Sequence, residues 1–286
     1  METFTVNQFT QMRQNLIWQD NSWNSIDKGF ISIKDRGLRF GDGIIETILI
    51  RNNKPILLDQ HLERLKKTIK LLEYKDIFET IRIKSIIIEG IKKLELNHKE
   101  YGSIRINYSR GINKGRSIKL NHFDDQFTLN NFWIEFYNID IDFSPISAHI
   151  SKTEKRNEHS LLSKCKTFSY MQSIQALLEA NNKNFDDSLI LNTKDELCCG
   201  TTFNLLMKRN NKWLTPRKDS GCLPGIMINR LLKLNLVEEA LIKPQFQEDD
   251  ILLAINSLSC RQINIVNETK LTKDFNTKYY WDLIYI

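Results

Sequence analysis

The amino-acid sequence predicts a mixed chain, α+β or α/β, in two domains, and three observations carry that expectation. Its 286 residues exceed the ~100–200 usual for one domain. Segments of period two alternate with segments of helical period along the chain. A polar, aperiodic stretch, "INKGRSIKLNHFDDQFTLNN" (112–131), separates the earlier run of such segments from the later one. The expected division is therefore 1–124, a small α/β domain, and 125–286, a larger one. Apolar residues make up 41% and charged residues 27%, proportions that allow each part a real core.

Taken in order, "GFISIKDRGLRFGDGIIETILIRNNKPI" reads as extended chain around a glycine-rich bend, with a turn at Asn52-Asn53. A helix follows in "LLDQHLERLKKTIKLLEY", where Leu62, Leu65, Ile69 and Leu72 share a face. The next helix places Ile83, Ile87, Ile91 and Leu94 together. "SIRINYSRG" returns to period two, with Ile104, Ile106 and Tyr108 opposite Arg105, Asn107 and Ser109. Beyond the boundary, a strand ("FWIEFYNI") leads into an irregular basic piece ("SKTEKRNEHSLLSKCK") and a helix from about Thr167 to Asn181. The strand "DSLILN" precedes a hairpin, "FNLLMKR" and "KWLTP", turning at Asn210-Asn211. Pro224-Gly225 opens a helix through Leu231 and Leu234, and "DDILLAINSLSC" reads as a strand entering a Ser-rich turn.

Several function classes fall away on composition. The net charge of +6 is scattered and forms no continuous basic stripe, so nucleic acid is not expected as a partner. It supports at most a weak attraction for anionic small molecules. The five cysteines (165, 198, 199, 222 and 260) lack C-x-x-C spacing and fit neither a disulfide framework nor a zinc site. Reduced thiols in the cytoplasm are the expectation. The N-terminal "METFTVNQFTQMRQ" shows no secretory pattern, and no stretch approaches the ~18 apolar residues of a membrane span.

Four places hold residues suited to chemistry. "DRGLRFGDG" (35–43) carries three glycines, which implies positive φ or close backbone approach. A structural bend would look the same. "LPGIM" (223–227) opens a helix whose free N–H groups suit an anion, although Pro-Gly is also an ordinary helix start. "INSLS" (255–259) is a hydroxyl-rich turn that can cradle a phosphate or serve as any turn. "SKCKTFSY" (163–170) sets Lys164 and Lys166 before a helix. A lysine buried there would be a Schiff-base nucleophile, whereas most lysines are solvated charge. The motifs of serine hydrolases, P-loops, dinucleotide sites and zinc proteases are missing from the sequence.

Together and in this order, "DRGLRFGDGIIET", "HLERL", "IRINYSRG", "KTFSY", "WLTP", "LPGI" and "NSL" resemble the class IV, fold-type IV pyridoxal-phosphate enzymes. That family includes the branched-chain and D-amino-acid aminotransferases and 4-amino-4-deoxychorismate lyase. The resemblance spans nearly the whole chain and implies a small N-terminal domain, a larger pseudo-barrel C-terminal domain, pyridoxal 5′-phosphate as cofactor and a homodimer. Lys166 matches the Schiff-base lysine and proton carrier, and Arg64 the arginine on the cofactor phosphate. The helix start at Gly225, Ile226 and Met227 matches the phosphate cup, and Ser257-Leu258 the second phosphate loop. Met227 stands where many aminotransferases carry Thr. Glu46 matches an active-site acid.

One position departs from the pattern. Where the family places a glutamate against the pyridine nitrogen, this chain has Cys199, inside "LCCGTTFN". The acid keeps the ring protonated as an electron sink. A thiol of ordinary pKa ~8.5 does that poorly unless the cation depresses it. Glu196 lies three residues upstream, and both cysteines could equally be packing residues. Transamination depends on a strong sink, whereas release of pyruvate from 4-amino-4-deoxychorismate gains aromaticity and tolerates a weaker one. The expected function is therefore the lyase that forms 4-aminobenzoate in folate synthesis. An aminotransferase acting on an amino acid and a keto acid, and a non-catalytic relative, are the alternatives.

Overall fold

The computed structural model describes residues 15–75, 79–97, 100–112, 115–120 and 131–285. The first sheet has six strands: β1 (Leu16–Gln19), β2 (Ser22–Ser25), β3 (Gly43–Arg51), β4 (Lys54–Pro55), β5 (Tyr101–Ser109) and β6 (Asn131–Ile139). Their order is β2-β1-β6-β5-β3-β4, antiparallel throughout. Two helices, α2 (Leu58–Leu71) and α3 (Thr80–Leu94), follow the short α1 (Arg36–Phe40). The apolar stripes expected from the sequence, Leu62, Leu65, Ile69, Ile83, Ile87 and Ile91, pack on Ile44, Ile48, Ile104, Ile106, Ile134 and Phe136. Each such side chain contributes roughly 1.5–3 kcal/mol by leaving water. The alternate residue Leu49 faces the opposite way, into the core of the second domain. β3 is therefore buried on both sides, which is why "GIIETILI" shows little polar alternation.

Two local expectations change in this first part. Residues 36–40 form a helical turn rather than extended chain. Asp35 caps it by accepting from the Gly37 N–H at 2.7 Å, and Gly41, at φ 68°, ends it in a conformation that glycine adopts without strain. The strand "FWIEFYNI" does not open the second domain: as β6 it pairs with β5 along its whole length and brings Ile134 and Phe136 into the first core. The boundary expected between 124 and 125 lies outside the described residues.

The second sheet contains β7 (Ile146–Arg156), β8 (Asp187–Asn192), β9 (Leu197–Gly200), β10 (Asn204–Arg209), β11 (Lys212–Pro216), β12 (Glu238–Ala240), β13 (Ile251–Ile255), β14 (Cys260–Val266) and β15 (Thr269–Lys270). Thus the first part of the basic piece "SKTEKR", expected to be irregular, ends a long strand. The order is β12-β11-β10-β13-β14-β7-β8-β9, with β15 beside β14. Parallel pairs (β7 with β8, β14 with β7, β11 with β12) occur within an otherwise antiparallel sheet. The sheet curls until its edges meet: the Leu197 N–H of β9 donates to the Ile242 carbonyl, just past β12, at 2.8 Å. The pseudo-barrel implied by the resemblance is present. Helices α4 (Met171–Asn181), α5 (Ile226–Lys233) and α6 (Thr277–Ile284) complete the chain. Among the described residues, no helix is long and apolar enough to cross a membrane.

Candidate active site

Lys166 is fixed by the first domain. Its carbonyl accepts from the Ile45 N–H at 3.0 Å, Thr167 bridges to Ile44, and the Phe168 N–H donates to the Gly43 carbonyl at 2.9 Å. The segment is thus laid as a strand along β3, and α4 starts at Met171, not at Thr167. The glycine-rich loop makes this docking possible. A Cβ on Gly43 would stand 2.2 Å from the Phe168 ring, so only glycine admits the lysine-bearing segment.

The Lys166 side chain lines a cavity of about 410 Å³, within the usual size of a small-molecule site. Its Nζ donates to the Tyr170 hydroxyl at 2.9 Å. Arg156, Cys199, Asn204 and Leu223 share the wall. Tyr170 and Arg156 had no role in the sequence reading. Tyr170 stood in the quoted "KTFSY", four residues past the lysine, whereas Arg156 was one charge among several in a basic stretch.

Arg64 and Glu46 meet beside the cavity rather than on its wall. The carboxylate accepts from Arg64 Nε and Nη2, both at 2.7 Å, and from His61 Nδ1 at 2.7 Å. Burial opposes ionisation of Glu46, yet the Arg64 charge and the His61 hydrogen bond bring its pKa down to about 2. His61 is shifted downward, chiefly by burial, and stays neutral at pH 7. Arg64 Nη1 donates to the Pro224 carbonyl at 3.2 Å, which ties the cluster to the turn before α5. Lys166 is close enough to help depress His61. Glu46 therefore anchors Arg64, and both its oxygens are taken.

No side chain caps α5, so the first N–H groups after Gly225, those of Ile226 and Met227, have no partner within the helix. The Met227 side chain packs away from it, in the second core. In the turn at Ser257, the Leu258 N–H is already spent on Asn256 Oδ1 at 2.8 Å. Glu196 accepts from Asn192 Nδ2 at 3.0 Å and does not line the cavity, so it does not take the place of Cys199 there.

Cys199 lies on β9 opposite Ile190 and is buried with Cys198 and Cys222. All five cysteines are unpaired, and no group of metal-binding residues occurs among the described residues. The donor set fits pyridoxal phosphate: an amine on the cavity wall, a guanidinium beside an uncapped helix start, and a polarisable sulfur at the far edge.

A model of the family described as amino-transferase class IV matches residues 43–266. A probable branched-chain-amino-acid aminotransferase of Synechocystis is 28% identical over 179 residues, 62% of this chain. The chain spans about half the length of that relative, 56%. The aminodeoxychorismate lyase of Bacillus subtilis is 27% identical over 200 residues, covering 67% of this chain and 64% of that one. Among solved structures, a putative 4-amino-4-deoxychorismate lyase from Legionella pneumophila superposes with a TM-score of 0.77 at 24% identity, over 90% of this chain and 97% of that one. At that identity the likeness shows the fold, which is the fold-type IV architecture.

Proposed function

The chain belongs to the class IV amino-transferase family and is a pyridoxal-phosphate-dependent enzyme, and from that premise we propose that it is a 4-amino-4-deoxychorismate lyase, releasing 4-aminobenzoate and pyruvate. The observation that carries the site is the Lys166 amine on the wall of the 410 Å³ cavity. When bound, the cofactor supplies an electron sink for the substrate amine. Lys166 would hold its aldehyde and then move a proton at Nζ, with the Tyr170 hydroxyl 2.9 Å away orienting that nitrogen. Arg64, held by Glu46 and His61, and the open start of α5 at Gly225, Ile226 and Met227 would take the phosphate. The turn at Ser257 and Leu258 would flank it.

Cys199 is what favours the lyase. Charged or neutral, a sulfur accepts a hydrogen bond from a ring N–H more weakly than a carboxylate oxygen does, and the aromatising reaction asks least of that partner. The aminotransferase reading is favoured instead by the similarity to the Synechocystis protein. A coupled assay decides between them: purified protein with pyridoxal phosphate and 4-amino-4-deoxychorismate should release 4-aminobenzoate and pyruvate in equal amounts. No release, alongside ready amination of branched-chain keto acids, reverses the assignment. A preparation that stays colourless with pyridoxal phosphate points to the non-catalytic relative.

The exposed apolar residues Met171, Ile174 and Leu178 on α4, with Leu161 and Leu162 before it, support a homodimer, to be checked by sedimentation. The unpaired cysteines support a reducing, cytoplasmic setting.

A further inference from the structure

Arg156 ends β7 as a half-buried cation whose hydrogen bonds go to neutral groups. Nη1 donates to Gln172 Oε1 at 2.8 Å and Nη2 to Ser173 Oγ at 2.9 Å. Among the described residues no carboxylate forms an ion pair with it. A guanidinium drawn out of water calls for an anion nearby. The Cys199 thiol lines the same cavity, and its charge is the one that bears most on Arg156. The strand register explains why: β8 lies between β7 and β9, with Arg156 opposite Asn192 and Cys199 opposite Ile190. Residues 190 and 192 point to one face of β8, so both neighbours project toward the same cavity.

We propose that Arg156 and Cys199 form a guanidinium–thiolate ion pair on the cavity wall, so that a sulfur anion stands where the family pattern places a carboxylate. The surrounding groups agree. Cys199 packs with Cys198, and this neighbour, ahead of the Arg156 charge, lowers Cys199 below the ordinary thiol range against the cost of burial. Cys198 itself is driven upward by the same contacts and keeps its proton. Asp187 on β8 opposes the anion, but burial raises its own pKa, which outweighs the Thr201 hydroxyl donating to its Oδ1 at 2.7 Å. Lys166 lines the same cavity, and Glu154 on β7 acts on Arg156 through its charge. Cys222 is also lowered, but its S–H donates to the Arg217 carbonyl at 3.7 Å, which favours its keeping the proton.

The consequence for the cofactor ring rests on the proposed function; the anion itself does not, and the test reads the anion alone. Thiolate absorbance near 240 nm is followed from about pH 5 to 9 in the full chain, with cofactor content held equal in every variant. The wild type should show one thiolate with an inflection at least about one pH unit below the ordinary ~8.5. That step should be missing in Cys199→Ser, persist in Cys222→Ser, move up in Arg156→Gln and return in part in Arg156→Lys. Far-ultraviolet circular dichroism checks that each variant is folded. Absence of any wild-type step below about pH 8 overturns the proposal without reference to a variant. So does a step that survives Cys199→Ser and disappears in Cys222→Ser.

Discussion

Replacing Glu46 by Gln removes the single charge that Arg64 and His61 share while keeping the shape of the side chain. Glu46 is 1% exposed, and both oxygens accept hydrogen bonds of 2.7 Å. Its pKa falls from the ordinary 4.5 to about 2, although burial alone would raise it. At ~1.36 kcal/mol per pKa unit, that depression contributes about 3 kcal/mol to stability at neutral pH. Breaking a buried ion pair by removing one partner costs ~3–5 kcal/mol, a range that begins at the same value. Because the folded pKa is depressed, the stabilisation is complete above about pH 4.5 and is lost as pH falls toward about 2. Urea unfolding of wild type and Glu46→Gln, followed by tryptophan fluorescence, should show a gap of about 3 kcal/mol or more at pH 7. The gap should narrow as the pH drops from about 5 to 3. A gap below about 1 kcal/mol at pH 7, or one indifferent to acid, refutes the reasoning.

Further outcomes follow from the same geometry. Gly43→Ala places a methyl group against the Phe168 ring, an overpacking worth ~1–3 kcal/mol, and should also loosen cofactor retention by displacing the Lys166 segment, as measured by dialysis and absorbance. Borohydride reduction with pyridoxal phosphate, then peptide mapping, should place the label on Lys166 and lose it in Lys166→Ala. Label on Lys164 instead would contradict the site. Tyr170→Phe removes the partner of Lys166 Nζ and should lower kcat about tenfold or more with little change in KM. Cys199→Glu restores the carboxylate and should raise keto-acid amination relative to 4-aminobenzoate release in parallel assays.

Much of the site was legible because it is local in the chain. The lysine, the Pro-Gly helix start and the "HLERL" arginine are short blocks whose chemistry travels with their residues. What stayed hidden was relational. Glu46 reads as an acid available for catalysis until His61 and Arg64 are seen to occupy both its oxygens. The Leu258 N–H looks open to a phosphate until Asn256 is seen to hold it. Arg156 could not be singled out in "SKTEKRNEHS" because its significance depends on lying across β8 from β9. The end of the first domain was obscured for a similar reason: β6 has the period of any half-buried strand, and only its nine-residue pairing with β5 says which sheet it joins.

Residue type and spacing alone determined which elements form and which groups are reactive, because helix stripes, strand alternation and the chemistry of an amine or thiol are properties of a short segment. Partners across the fold were decided only by the tertiary structure: Phe168 against Gly43, Glu46 between His61 and Arg64, and Cys199 facing Arg156. Charge and acidity respond to neighbours within a few ångströms, and the strand pairing of the second sheet brings together residues far apart in the chain, as with Arg156 and Cys199, 43 positions apart.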